Sequence, residues 1–166
     1  MHRLIVIVFG CFLAVGSLTA QKYGHLNFGN LIAQVPGTKA ADEQLAAYNA
    51  ELMKKGEEMV AQLRARVTEL EGQIDELPPV KVAEFRAELN KDREEIVRYE
   101  QQMVQDVERR RRELLGPLIE EARAAIIKVA EENGYVLVFD TSQFNTVLFA
   151  RDSDDLMALV KAQLGL

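Results

Sequence analysis

Apolar residues recur at intervals of three and four along most of the chain, which is the spacing of one face of an α-helix. The pattern covers about residues 40–76 and, after an interruption at 77–80, about residues 81–133. Pro78 and Pro79 lie in the interruption, and two successive prolines cannot continue a helix. We therefore predict two long amphipathic helices that form an antiparallel hairpin. Part of the first helix has the heptad spacing typical of a coiled coil.

The residues before the hairpin have a different, alternating pattern. Apolar and polar residues alternate over 23–28, which predicts a short half-buried strand. A small apolar segment at 31–35 predicts a turn of helix that ends at Pro36 and Gly37. Thr38 follows, and its side chain is one that commonly caps the N-terminus of a helix.

Short elements also follow the second long helix. Gly134 supplies the left-handed residue with which many helices end. Two β-branched and aromatic runs, 135–140 and 144–150, surround a short polar break and predict a β-hairpin. The apolar spacing of 154–166 predicts a last amphipathic helix with Ser153 as its N-cap.

These elements predict an α+β fold in two parts. Residues 21–40 and 117–166 are expected to form a small β body of three or four short strands, with Pro117 kinking the second helix. Residues 41–116 are expected to form the coiled-coil hairpin arm, with its turn at 77–80. Because so small a body has a thin core and open strand edges, we expect oligomerisation to complete it. The expected oligomer interface consists of apolar strand residues: Leu26, Phe28, Val136, Val138 and Leu148.

The first 20 residues have the composition of a targeting segment. A basic start with His2 and Arg3 precedes an apolar stretch, and small residues lead up to Ala20. This arrangement predicts a secretory signal peptide cleaved after Ala20, and hence export to the periplasm in a bacterium. The alternative is lipidation of Cys11, which is disfavoured because the apolar stretch before it is short. Since Cys11 is the single cysteine of the chain, cleavage would leave a mature protein without a thiol.

Charge and residue types exclude several classes of function. The 166 residues include 26 acidic and 20 basic side chains, a net charge of −6, which disfavours nucleic acid as a partner. His25 is the single histidine outside the signal peptide, and no phosphate-binding glycine loop is present. Asp140 is expected to start a turn by accepting hydrogen bonds from its own backbone. The sequence therefore predicts no enzyme activity, no metal site and no cofactor.

The four successive arginines at 109–112 are the most concentrated charge in the chain. Such a run can bind phosphate, but four successive helical residues point all around the axis. We expect it to be a solvated stretch that pairs with acids of the first helix. A contact with acidic groups on a bound protein is the alternative.

Met and Val residues beside the heptad positions give each long helix a second apolar face. Flexible Met side chains suit surfaces that bind varied partners. These residues either widen the interface between the two helices or bind unfolded protein, and the pattern favours neither interpretation. They are Met53, Met59, Val60, Val97, Met103 and Val104.

The order of these parts resembles the Skp (OmpH-like) family of periplasmic chaperones. The most specific matching segments are EENGYVLVFD at 131–140 and LLGPLI at 114–119. The resemblance implies a homotrimer with a central β-barrel-like body, whose three helical arms enclose an unfolded outer-membrane protein. The best-known members are basic, so the acidic charge of this chain disfavours binding to lipopolysaccharide or to anionic membrane surfaces.

The leading hypothesis is therefore an ATP-independent holdase chaperone that keeps unfolded outer-membrane proteins soluble. The alternative is a structural or adaptor protein of the cell envelope, whose coiled coil docks to a fixed protein partner.

Overall fold

The computed structural model describes residues 21–166, so the expected signal peptide at 1–20 lies outside the described residues. The chain divides into two compact units. Residues 21–31 and 123–166 form one, here called the sheet unit, and residues 32–122 form the other, here called the helical unit. None of the helices within residues 21–166 has a stretch long and apolar enough to cross a membrane.

The elements of the described chain define an α+β fold, as expected. In order they are β1 (Lys22–Leu26), α1 (Phe28–Ile32), α2 (Thr38–Gln73), α3 (Pro79–Glu132), β2 (Tyr135–Asp140), a 3₁₀ turn (Asp152–Asp154) and α4 (Met157–Leu164).

The two long helices α2 and α3 confirm the helical spacing and differ from the predicted bounds by a few residues. Pro79 is the first residue of α3, where its fixed φ angle suits a helix and its missing N–H costs no hydrogen bond. The helix continues through Pro117. The prediction that Thr38 caps α2 is wrong. Gly37 occupies the N-cap position, and the Thr38 hydroxyl instead donates to the Ile32 carbonyl at 2.8 Å.

Side-chain contacts within the helical unit pair α2 with α3 in antiparallel order. Near the middle of α2, the Leu52 carbonyl accepts a hydrogen bond from the Tyr99 hydroxyl at 2.8 Å. Further along α2, the Arg66 guanidinium binds Glu88 at 2.6 Å and also binds Asp92. Later residues of α2 thus contact earlier residues of α3, as the turn after Gln73 requires.

The sheet of the described chain has two strands, and they are parallel. Tyr23 of β1 pairs with Leu137, and Leu26 pairs with Asp140 at the other end of the ladder. A parallel pair needs a long crossover connection. Here the connection contains α1, α2 and α3, so partners adjacent in the sheet are more than a hundred residues apart in sequence.

The predicted β-hairpin of 135–140 with 144–150 is wrong, and so is the expected count of three or four strands. β2 pairs with β1, and the Thr141 N–H donates to the Leu26 carbonyl at 2.9 Å, which extends that ladder. Asn145 then has a φ of 62°, which is incompatible with a strand. Residues 144–149 form turns and bends in which Phe144, Leu148 and Phe149 are exposed.

Two further bounds differ because local hydrogen bonds stop one element and start the next. Phe28 begins α1 instead of continuing the strand, since the Asn27 side chain caps that helix by accepting the Asn30 N–H at 2.8 Å. The predicted helix at 154–166 begins only at Met157 and is not capped by Ser153. Asp155 is extended and forms a bridge with His25, and the Leu156 N–H donates to the His25 carbonyl at 2.9 Å, so these two residues lie beside β1 instead of starting the helix.

The core of the sheet unit lies where β1 meets the C-terminal segment. Its fully buried large side chains include Leu26, Leu31, Leu156 and Val160. Gly24 is required here, because a Cβ at this position would lie 2.2 Å from Leu156 Cδ1. Gly134, with a φ of 71°, ends α3 as expected.

Candidate functional site

An apolar groove lies between α2 and α3 in the helical unit. It has a volume of about 390 Å³ and is open to solvent. Its apolar lining includes Met53, Val60, Ile96 and Met103. Two flexible methionines beside branched side chains make a surface that can adapt to different apolar groups.

Gly56 and Tyr99 hold the two helices together at the middle of this groove. A Cβ at Gly56 would lie 3.4 Å from Tyr99 Cε1, so glycine allows the ring to approach the backbone of α2. The Tyr99 hydroxyl donates to the Leu52 carbonyl, and Lys55 Nζ lies 5.1 Å from the ring centroid. Desolvation, the neighbouring Tyr48 and the carboxylates of Asp106 and Glu51 together raise the pKa of Tyr99.

Three charged residues form the rim of the groove: Glu57, Arg64 and Glu100. Within residues 21–166, none of the three side chains has an ion-pair or hydrogen-bond partner. Glu58, the neighbour of Glu57, instead pairs with Lys54. The rim charges are therefore available to a bound partner.

The sheet unit exposes a second set of apolar side chains. Phe144, Leu148 and Phe149 are 94%, 88% and 82% exposed. A smaller open pocket of the same unit is lined by Leu26, Phe28, Ile126 and Val138, with Arg123 and Asp140 among its polar residues. Apolar exposure on this scale is typical of a surface that is covered in an assembly.

The structure brings together three of the six residues proposed for binding unfolded protein. Met53, Val60 and Met103 line the groove. Met59 lines a smaller neighbouring cavity with Leu63 and Ile96. Val97 and Val104 are exposed and do not line the groove.

The five residues proposed for the oligomer interface have different environments within the chain. Leu26 is buried, whereas Phe28 and Val138 are half-buried and line the pocket of the sheet unit. Val136 and Leu148 are exposed.

Asp140 and His25, the residues whose types suit catalysis or metal binding, make contacts with the backbone. Asp140 accepts hydrogen bonds from the Ser142 N–H at 2.8 Å and the Phe28 N–H at 3.1 Å, so it starts a turn as predicted. Burial alone would raise the pKa of Asp140, but these bonds and one from the Ser142 hydroxyl hold it below its usual value. His25 Nε2 lies 3.0 Å from the Arg151 carbonyl oxygen. Across residues 21–166, no group of three or more His, Cys, Asp or Glu side chains is arranged to hold a metal ion.

The arginine run at 109–112 does not pair with acids of the first helix. Arg109 binds Asp106 at 2.6 Å, and Arg110 binds Glu113 at 3.2 Å, so both pairs lie within α3. These partners are three residues apart, and residues three or four apart in a helix are neighbours on one face, so an acid of the same helix is within reach. Arg98 likewise pairs with Glu94 and Glu95 of its own helix.

Sequence reasoning missed the Gly56 contact with Tyr99 and the charged rim. A glycine inside a long helix costs about 1 kcal/mol relative to alanine, which signals a close approach by another group. Nothing in the sequence indicates which charges remain unpaired, since that depends on the relative rotation of the two helices.

No curated protein sequence matches this chain. A crystal structure of an OmpH-like protein from Caulobacter crescentus, described as a candidate outer membrane chaperone, has the same fold with a TM-score of 0.68. The two share 15% sequence identity, and the match covers 91% of this chain and 88% of that chain. A family model described as outer membrane protein (OmpH-like) matches residues 22–164, so the chain belongs to the OmpH-like family.

Proposed function

We propose that this protein is an ATP-independent holdase chaperone of the periplasm. It binds unfolded outer-membrane proteins and encloses them between the helical arms of a homotrimer. The signal peptide at 1–20 would export it, with cleavage after Ala20. Membership of the OmpH-like family supports a chaperone role.

The observation that carries the proposal is the open apolar groove between α2 and α3. An unfolded outer-membrane protein exposes many apolar side chains, and a shallow adaptable groove can bind these weakly and repeatedly. Repetition of the groove in three subunits would increase the effective concentration of binding sites around one client. Such binding requires no nucleotide.

The exposed apolar side chains of the sheet unit support the oligomer. An isolated two-stranded sheet is marginally stable in water, and β2 has one edge that no strand of the described chain covers. A symmetric assembly that pairs such edges and buries Leu148 would enlarge the sheet and cover its open edge. The coiled-coil arm would then be the part of each subunit that reaches the client.

Aggregation of a denatured porin, measured by light scattering, tests the proposal. We expect the purified protein at a stoichiometric amount to suppress scattering without ATP. Porin aggregation that is unchanged by the protein would contradict the holdase and favour the alternative of an envelope adaptor with a fixed partner.

A triple substitution identifies the binding surface in a client titration. We expect Met53→Ser, Met59→Ser and Met103→Ser together to weaken client binding more than raising salt from roughly 0.05 to 0.5 M does. Each methionine contributes about 1 to 3 kcal/mol if the client buries it fully, whereas the salt change should alter affinity less than tenfold. Titration of a fluorescent unfolded client measures both effects. A steep salt dependence with an unaffected variant would instead show that binding is electrostatic.

A further inference from the structure

The apolar groove of the helical unit is lined by charges of opposite sign at different positions along its length. Glu57 and Glu100 directly follow Gly56 and Tyr99 in sequence, and Arg64 lies about two helical turns further along α2. Glu57 and Arg64 are seven residues apart on α2, a distance of about 10 Å along a helix. The sign of the charge therefore changes along the groove, although most of the lining is apolar.

The carboxylates of Glu57 and Glu100 are the part of this rim that a ligand with a cation could bind. Both line the groove, both are exposed, and within the described chain neither has a partner. The nearby cations already have contacts: Lys54 pairs with Glu58 on α2, Arg98 pairs with Glu94 and Glu95 on α3, and Lys55 lies over the Tyr99 ring. A cation brought by a ligand would meet two free carboxylates without having to break an existing pair.

We propose that the groove selects extended apolar segments with a Lys or Arg side chain placed beside Glu57 and Glu100. This inference deepens the proposed holdase function and rests on it. An extended chain covers about 10 Å in three residues, so a basic residue beside the two carboxylates leaves room for a short apolar stretch before Arg64. Apolar contact provides most of the binding, and the rim determines which segments bind and in which direction.

A set of three fluorescent peptides tests the selection. All three peptides have the same stretch, in which four apolar residues alternate with polar ones. They differ at one end, which carries two lysines in the first peptide, two glutamines in the second and two glutamates in the third. Fluorescence anisotropy with the full-length assembled protein measures the affinity of each peptide at physiological salt. We expect the lysine peptide to bind about threefold to tenfold more tightly than the glutamine peptide, because each exposed ion pair contributes about 0 to 1 kcal/mol. The glutamate peptide should bind most weakly.

Substitutions in the rim locate the effect. Glu57→Gln with Glu100→Gln should abolish the preference for lysine, so that the lysine and glutamine peptides bind this variant with equal affinity. Glu69→Gln with Glu71→Gln is the matched control, since it changes the net charge equally at exposed positions of α2 outside the groove. Position 69 is twelve residues from Glu57, about 18 Å along the helix and beyond the screening length at physiological salt.

Three outcomes would overturn the inference. They are equal binding of the three peptides, a lysine preference that survives the double substitution, and a loss of preference in the matched control. If no peptide binds but the protein still suppresses porin aggregation, the groove selection is wrong while the holdase function stands. If the groove substitutions instead change the sedimentation mass, a second copy of the chain occupies the groove, and the inference is wrong.

Discussion

Individual residues in this protein act mainly through steric fit and local hydrogen bonds. Gly24 permits the C-terminal segment to pack against β1, and Gly56 permits Tyr99 to approach α2. Asp140 connects the end of β2 to the start of α1, because it accepts the N–H groups of both Ser142 and Phe28. The two glycine contacts require that no Cβ is present, and the Asp140 contacts require a carboxylate oxygen.

Gly24→Ala should destabilise the sheet unit. The added Cβ would lie 2.2 Å from Leu156 Cδ1 and 3.0 Å from the Tyr135 ring, and overpacking of this kind costs about 1 to 3 kcal/mol. Hydrogen exchange with mass spectrometry should show reduced protection of the β1 and β2 amides. Gly72→Ala is the control, since nothing lies within 4 Å of that position and alanine favours a helix. Equal protection in both variants would contradict the steric argument.

The Asp140 carboxylate should make stability depend on pH. Its folded-state pKa lies below the unfolded value near 3.9, so its stabilising contribution is present above about pH 4. That contribution is lost as pH falls through the folded-state pKa. Asp140→Asn should therefore lower the free energy of unfolding by about 1 kcal/mol at pH 7, a small value because the carboxyl is exposed. The loss should become smaller as the pH falls toward 2. Urea midpoints of both proteins across this range measure the difference, and a constant difference would refute the assignment.

At the scale of elements, one charged contact between α2 and α3 stands apart from the others. The Arg66 guanidinium binds Glu88 and Asp92 across the helix pair and lies 5.5 Å from the Phe85 ring centroid. The other ion pairs of the described helices join residues three or four apart in the same helix. Arg66 therefore opposes sliding or rotation of one helix against the other.

Arg66→Met should destabilise the helical unit by about 1 kcal/mol. Methionine keeps an apolar stem beside Phe85 and removes both interhelical ion pairs, of which the Asp92 carboxylate is the more buried. Arg98→Met is the control, because its partners lie in its own helix, and we expect it to cost less than about 0.5 kcal/mol. Thermal unfolding followed by circular dichroism compares the two. The assignment fails if both substitutions have the same effect.

At the scale of the whole molecule, the exposed apolar residues of the sheet unit require an explanation that a single chain does not provide. Phe144, Leu148 and Phe149 follow β2 and contribute nothing to the core of their own chain. Their burial between subunits would stabilise the proposed homotrimer.

Leu148→Asp should dissociate the oligomer while leaving the fold of the chain intact. The side chain is 88% exposed in the isolated chain, so a charge there disrupts only contacts made by assembly. Val138→Asp should be more damaging, since Val138 is half-buried within the sheet unit. Val80→Asp, at an exposed position of α3, is the control and should leave the mass unchanged. Sedimentation measures the mass, and a monomeric wild-type protein would refute the proposed assembly.

The amino-acid sequence by itself determined the elements whose signals are local. Helical spacing and the two prolines predicted α2, α3 and the break between them, and Gly134 predicted the end of α3. The turn at Asp140 followed from side-chain chemistry. Family motifs at 114–119 and 131–140 indicated the OmpH-like family, which the match over residues 22–164 confirms.

Only the tertiary structure decided which strands pair and which charges remain free. The run at 144–150 has the composition of a strand, but β2 pairs with β1 from the opposite end of the chain, and no local pattern encodes that choice. The helix rotation that leaves Glu57, Glu100 and Arg64 around one groove is likewise absent from the sequence pattern. Both depend on contacts between residues far apart in sequence, whose energies are gained only when the whole chain packs.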